Sequence, residues 1–238
     1  MTPKHRFART RAILFDLDGT LIDTTELILR CFYHTWQTVC GIRHSREALL
    51  MTFGIPLREA MRKLLAEANP EVEIRDDPQA ETAKHNDLVE NLLDTYRAFN
   101  FANHDSIARP FAGTQQVIST LCARGYAIGV VTSKGRELAL RGLKLCAIDT
   151  FVQQAVFLED TTIHKPRPEP ILAALERLQM RAGQAVYVGD SFHDMAAGRA
   201  AGVKTIAAAW GPMPRAELER EQPDFIAESM DDLLEIFD

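Results

Sequence analysis

Apolar positions recur along the chain with two different periods, and the change from one to the other divides it. Ala12-Ile13-Leu14-Phe15 is an unbroken apolar run of the kind that forms a short strand buried on both faces. Asp23-Thr24-Thr25 then offers a helix cap, followed by Leu27, Ile28, Cys31, Phe32, Trp36 and Val39 on one helical face and by Gly41 as a stop. Ser45–Met51, Pro56–Ala68 and Ala80–Asn100 continue the helical period, the last with Leu88, Leu92, Leu93, Tyr96 and Phe99 on its apolar side. The stretch from Asn69 to Pro78 is too charged for a core and predicts an exposed connection.

From Pro110 onward strands and helices alternate. Helices are predicted at Gly113–Ala123, Arg136–Leu145, Lys165–Gln179, Ser191–Ala201 and Met230–Phe237. Between them lie the apolar strand patterns Tyr126–Thr132, Ala155–Phe157, Ala185–Val188, Val203–Ala208 and Phe225-Ile226, while Pro212-Met213-Pro214 and Gln222-Pro223-Asp224 read as loops. This rhythm predicts the α/β class: a doubly wound parallel sheet made from residues 1–22 and 108–238, interrupted by an all-helical insertion at 23–107.

Composition narrows the function. The chain has 238 residues, 46% hydrophobic and 25% charged, enough for a substantial core. Its net charge of −6 and lack of a long basic run argue against nucleic acid as the main partner, but are compatible with a small anionic substrate. Cys31, Cys40, Cys122 and Cys146 form no CxxC pair, so neither a zinc knuckle nor a disulfide framework is expected, and a cytoplasmic location is the simplest. Lys4, Arg6, Arg9 and Arg11 resemble the start of a signal peptide, but the apolar run after them is cut short at Asp16. No stretch approaches the length of a membrane span, so no membrane partner is expected.

The ends of the predicted strands carry the candidate chemistry. Asp16 and Asp18 leave the first strand on a Gly19-Thr20 turn, pointing the same way, and their like charges call for a divalent cation. An ionised Asp is also a competent nucleophile toward phosphorus, and its neighbour can hand a proton to a leaving oxygen. Thr132 and Ser133 follow another strand where phosphate oxygens can be held at a helix start, although capping the Arg136 helix accounts for them equally well. Lys165 precedes a proline-stiffened turn that fixes one positive charge. Asp190 ends a third strand and Asp194 follows on the next helix, as ligands of one cation or as helix caps.

Taken in order, Asp16-Leu17-Asp18-Gly19-Thr20, Thr132, Lys165 and Gly189-Asp190-Ser191-Phe192-His193-Asp194 resemble the four motifs of the haloacid dehalogenase-like (HAD) phosphatase superfamily. The helical insertion resembles the cap of the subfamily containing phosphoglycolate phosphatase and beta-phosphoglucomutase. Leu14 to Thr24, His34-Thr35, Gly142 to Leu145 and Pro223-Asp224-Phe225 are most similar to HAD-type inorganic pyrophosphatases. The resemblance implies a phosphoaspartyl enzyme, with Asp16 as nucleophile and Asp18 as acid and base. It implies Mg²⁺ between the Asp16 carboxylate, the Asp18 backbone carbonyl and Asp190, supported by Asp194. Gly19, Thr20, Thr132, Ser133 and Lys165 are the implied phosphoryl-binding set.

In that picture the helical insertion selects the substrate. Phe53, Gly54, His34, Arg97, Asn100 and His104 are its candidates, with Arg97 able to grip a second phosphate or a carboxylate. Pyrophosphate and phosphoglycolate are the leading substrates. A phosphomutase is the alternative enzyme, and a phospho-accepting receiver-like signalling module is disfavoured by the insertion and by Asp18.

Overall fold

The computed structural model describes residues 7–68 and 83–238, so the connection expected at Asn69–Pro78 lies outside it. The uninterrupted apolar run forms β1 (Ala12–Phe15), buried throughout. Ile13 and Phe15 enter one core layer, while Ala12 and Leu14 enter another with Tyr187, Ile171 and Leu175. A strand covered on both faces gains nothing from polar alternation, which explains its pattern.

After β2 (Ile22–Asp23) come the helices of the insertion, α1 (Thr25–Cys40), α2 (Arg46–Leu50), α3 (Leu57–Ala68) and α4 (Ala83–Ile107). α1 ends at Gly41, whose φ of 67° places it in the left-handed region that glycine accepts most readily. It packs against α4, with Phe32 and Tyr96 edge to face at 5.1 Å. α4 runs beyond the expected Asn100 because the next helix breaker is Pro110. The chain returns through β3 (Arg109–Pro110), antiparallel to β2. This pair carries both crossings between sheet and insertion, and is too short to leave a sequence pattern.

The remaining elements are α5 (Thr114–Ala123), β4 (Ala127–Val131), α6 (Arg136–Leu145), β5 (Gln154–Val156), α7 (Glu169–Leu178), β6 (Ala185–Gly189), α8 (Phe192–Ala200), β7 (Lys204–Ala208), α9 (Arg215–Arg220), β8 (Phe225–Ala227) and α10 (Asp232–Ile236). α9, between the two expected loops, leaves no periodic signal, since Leu218 is its one buried anchor. The sheet has the order β5-β4-β1-β6-β7-β8 with parallel pairing throughout. The chain builds outward from β1 to β5 and then returns to build the other half. The carboxyl ends of β1, β4 and β6 therefore lie together at the topological switch point, where such sheets bind ligands. Phe15 is level with Val130 and Val188, so Asp16, Thr132 and Asp190 emerge at the same edge. No helix among the described residues is long and apolar enough to cross a membrane.

Candidate active site

Beyond β1 the backbone turns at Gly19 (φ 85°), tied by its N–H to the Ile22 carbonyl at 2.8 Å and by Trp210 Nε1 to the Thr20 carbonyl at 2.9 Å. A Cβ on Gly19 would lie 2.3 Å from a carboxylate oxygen of Asp190, so this turn is the wall against which that carboxylate rests. The Thr20 hydroxyl donates to Asp190 Oδ1 at 2.7 Å. Gly19 and Thr20, expected to bind phosphate, both touch Asp190, one by steric contact and one by its hydroxyl bond, and lie outside the lining of the cavity described below.

Asp16, Asp190 and Asp194 are buried and offer carboxylate oxygens within 4.8 Å of one another. The Asp18 side chain is outside this cluster: its Oδ1 accepts from Thr24 Oγ1 at 2.8 Å and from Lys134 Nζ at 2.7 Å. The two carboxylates of the opening motif therefore face different partners. Lys165 Nζ lies 3.0 Å from Asp16 Oδ1 and 2.7 Å from Asp194 Oδ1, and also donates to the Tyr187 hydroxyl at 3.1 Å. Asp194 Oδ2 accepts the Ser191 N–H at 3.1 Å and the Ser191 hydroxyl at 2.5 Å. Asp194 is a cap of α8, as one of its two readings has it, and it also anchors the lysine beside Asp16.

Burial raises the Asp16 pKa to about 7, with Asp194 and Asp18 adding to the rise and Lys165 opposing it. Asp190 is raised well above the usual carboxylate range, first by burial and then by Asp194 and Asp16. Burial would raise Asp194 as well, but Lys165, Ser191 and Tyr187 outweigh it and hold this group below its ordinary value. For Lys165 burial opposes the charge, and the carboxylates of Asp16 and Asp194 prevail, raising its pKa. Two buried carboxylates resisting ionisation beside a third that is ionised, in an all-oxygen donor set, fit a hard divalent cation.

The raised pKa of Asp16 couples stability to pH. Its folded pKa of about 7 exceeds the unfolded value of 3.8, so its contribution is full below 3.8 and is lost as pH rises through about 7. A bound cation favours the ionised form and should cancel that loss. The gain in thermal midpoint on adding Mg²⁺ to chelator-treated protein is therefore expected to grow from pH 5 to pH 8, and a gain independent of pH would count against a cation on Asp16.

Asp16 and Asp18 open onto a cavity of about 590 Å³ between sheet and insertion. Thr132, Ser133, Lys134 and Lys165 line it from the core, and Phe53, Gly54, Tyr96, Arg97 and Asn100 from the insertion. Ser133 Oγ donates to the Gly54 carbonyl at 2.7 Å, committing its hydroxyl proton to the insertion and leaving its lone pairs for the cavity. Gly54, with φ 87°, approaches so closely that a Cβ would sit 2.8 Å from Ser191 Oγ. The Thr132 hydroxyl accepts the Lys134 N–H at 3.1 Å and keeps its own proton to donate. Asn100 Oδ1 is buried without a hydrogen-bond partner among the described residues, and Arg97 is half-exposed, 3.6 Å from Asp94.

Two of the expected selectivity residues fall outside the lining. His34 is exposed on the far side of α1 and stacks on Phe99 at 4.4 Å. His104 is fully buried with Nδ1 2.8 Å from Asp105, and burial lowers its pKa. Packing accounts for both, so neither is retained as a substrate contact. The site also holds Lys134, Tyr187 and Tyr96, to which the sequence pattern assigns no role. Tyr187 looks like an ordinary strand residue, yet its hydroxyl reaches the Val131 carbonyl and Asp194 Oδ1, each at 3.0 Å. Lys134 directly follows Thr132-Ser133, and that adjacency is the signal by which it could be found.

A carboxylate-bearing turn, a buried lysine and an acidic cluster thus meet at the ligand-binding edge of a doubly wound sheet. The chain belongs to the haloacid dehalogenase-like hydrolase family, whose model matches residues 13–208, and it is a phosphatase of that family. It is 38% identical over 224 residues to pyrophosphatase PpaX of Anoxybacillus flavithermus, covering 94% of this chain and 95% of the relative. A hydrolase from Pseudomonas syringae superposes with a TM-score of 0.81 at 22% identity, over 95% of this chain and 97% of that one. A predicted phosphoglycolate phosphatase from Haemophilus somnus gives 0.79 at 23% identity, over 97% and 99%. At these identities the two structures are likenesses of fold.

Proposed function

We propose that this enzyme hydrolyses a small phosphorylated substrate in the cytoplasm through an aspartyl-phosphate on Asp16, with Mg²⁺ held by Asp16, Asp190 and the Asp18 backbone carbonyl and with residues 23–107 acting as a cap. The observation that carries this reading is that Asp16 and Asp18 face one cavity with separate partners, so one can attack while the other moves protons. Asp16 attacks phosphorus as the leaving oxygen takes a proton from Asp18. Asp18 then removes a proton from the water that attacks the aspartyl-phosphate, releasing phosphate and regenerating Asp16. Lys165 and the Thr132 hydroxyl hold phosphoryl oxygens, and Lys165 keeps Asp16 oriented between turnovers. When bound, Mg²⁺ supplies charge neutralisation for nucleophile and phosphoryl group. Asp194 contributes by holding Lys165 and the start of α8.

Pyrophosphate and phosphoglycolate are the leading substrates. The PpaX relative favours the first, and Arg97 at the cavity suits the second phosphoryl group or carboxylate of either. The test is phosphate release from a panel of pyrophosphate, phosphoglycolate, sugar phosphates and an aryl phosphate. Turnover should be selective, abolished by chelator and restored by Mg²⁺. Equal rates on every compound would remove the role of the cap in selection, and turnover unaffected by chelation would remove the metal. A phosphomutase would release little phosphate in the same assay.

A further inference from the structure

We propose that Lys134 is a positioning residue for Asp18, fixing which carboxylate oxygen exchanges the proton with the leaving group; this rests on the phosphatase reading above. Lys134 Nζ and Thr24 Oγ1 approach the same oxygen, Asp18 Oδ1, at 2.7 and 2.8 Å, one from the sheet and one from the first crossing into the insertion. Among the described residues no hydrogen bond falls on Oδ2, which is left as the oxygen that gives and takes the proton. A carboxylate held by one donor can rotate about its terminal bond; two donors converging on one oxygen define its plane and rotamer.

Lys134 is itself held. Its N–H donates to Thr132 Oγ1 at 3.1 Å and its carbonyl accepts the Leu158 N–H at 3.1 Å, so the backbone carrying it is fixed at both polar groups. Its side chain is only 10% exposed, so its contact with Asp18 is not a solvated surface pair. The other lysine of the cavity is committed to Asp16 and Asp194. Each carboxylate of the opening motif thus has its own lysine.

In the first step the Asp16–phosphorus bond forms, the bond from phosphorus to the leaving oxygen breaks, and the proton on Asp18 Oδ2 passes to that oxygen. This leaves the Asp18 carboxylate against the Lys134 ammonium. In the second step the attacking water gives a proton back to Asp18 as its oxygen bonds to phosphorus and the bond to Asp16 breaks. Misplacing Oδ2 costs most when the leaving oxygen is strongly basic and needs the proton early, as in an alkyl phosphate. An aryl phosphate with an acidic phenol needs it least.

The experiment compares kcat/KM, which reports steps through release of the leaving group, for such an aryl phosphate and an alkyl phosphate. In Lys134→Met the aryl-to-alkyl ratio is expected to rise by about tenfold or more, part of the roughly 10²–10⁴-fold contribution of general acid catalysis. Asp18→Asn should raise it further. A structural role for Lys134 would lower both substrates together and leave the ratio in place. If Asp18→Asn raises the ratio and Lys134→Met does not, the positioning role is overturned and the acid stands. If Asp18→Asn leaves the ratio unchanged, the acid assignment itself fails. Thr24→Val removes the other bond to Oδ1 without changing charge and should shift the ratio in the same direction; should Lys134→Met not fold, an unshifted ratio in Thr24→Val overturns the proposal.

Discussion

Asp16→Asn is expected to lower phosphate release by about four orders of magnitude or more, with and without Mg²⁺, while the chain stays folded. The amide nitrogen and oxygen keep the shape of the carboxylate but neither can form the acyl-phosphate bond, and loss of a covalent nucleophile generally costs an enzyme losses of this order or greater. The fold should tolerate the change. Asp16 is a buried group whose pKa of about 7 reports that its charge is disfavoured there, so a neutral isostere removes a desolvation penalty along with one contact to Lys165. Lys165 keeps its partner Asp194 at 2.7 Å. The measurement is phosphate release beside a thermal melt of the same preparation. Turnover near the wild-type rate would exclude Asp16 as the nucleophile, and an unfolded variant would show that its charge has a structural role.

The sheet is legible in the sequence because its strands are covered on both faces, so Ala12–Phe15, Ala127–Val131 and Ala185–Gly189 each stand out as apolar runs ending in polar residues. The strand ends are legible for a related reason: a carboxylate carried directly by a buried run is costly to desolvate unless a partner or ligand meets it there. What the sequence does not reveal is created by approach across the sheet. Tyr187 and Asp194 lie close in the chain, but the Val131 carbonyl and Lys165 reach them only after β4 and β6 assemble on either side of β1 and the loop before α7 folds over the sheet edge. The separate partners of Asp16 and Asp18 depend on Thr24 and Lys134 converging on one oxygen, and no periodicity encodes that. The insertion is least legible in function. His34 and Arg97 look alike as polar residues near an apolar stripe, and only the packing of α1 on α4 directs one outward and the other to the cavity.

Lys165→Met should cost about 3–5 kcal/mol of stability, a drop of roughly 10 °C in thermal midpoint for a chain of this size, and should reduce turnover severely. The lysine is 2% exposed and stands between Asp16 and Asp194, with the Tyr187 hydroxyl as a further partner. Methionine fills a similar volume but leaves two buried carboxylates without their counter-charge, and desolvation of an unpaired ion is the larger energy here. The protein can respond by protonating Asp16 or by holding a cation more tightly, and these responses separate by experiment. Protonation makes the variant less destabilised at pH 5 than at pH 8 in the presence of chelator. Cation uptake makes the stabilisation by Mg²⁺ larger in the variant than in the parent at pH 8. A midpoint within about 2 °C of the parent at pH 8 with chelator would mean that the buried charges do not depend on Lys165, and that its place beside Asp16 serves the reaction alone.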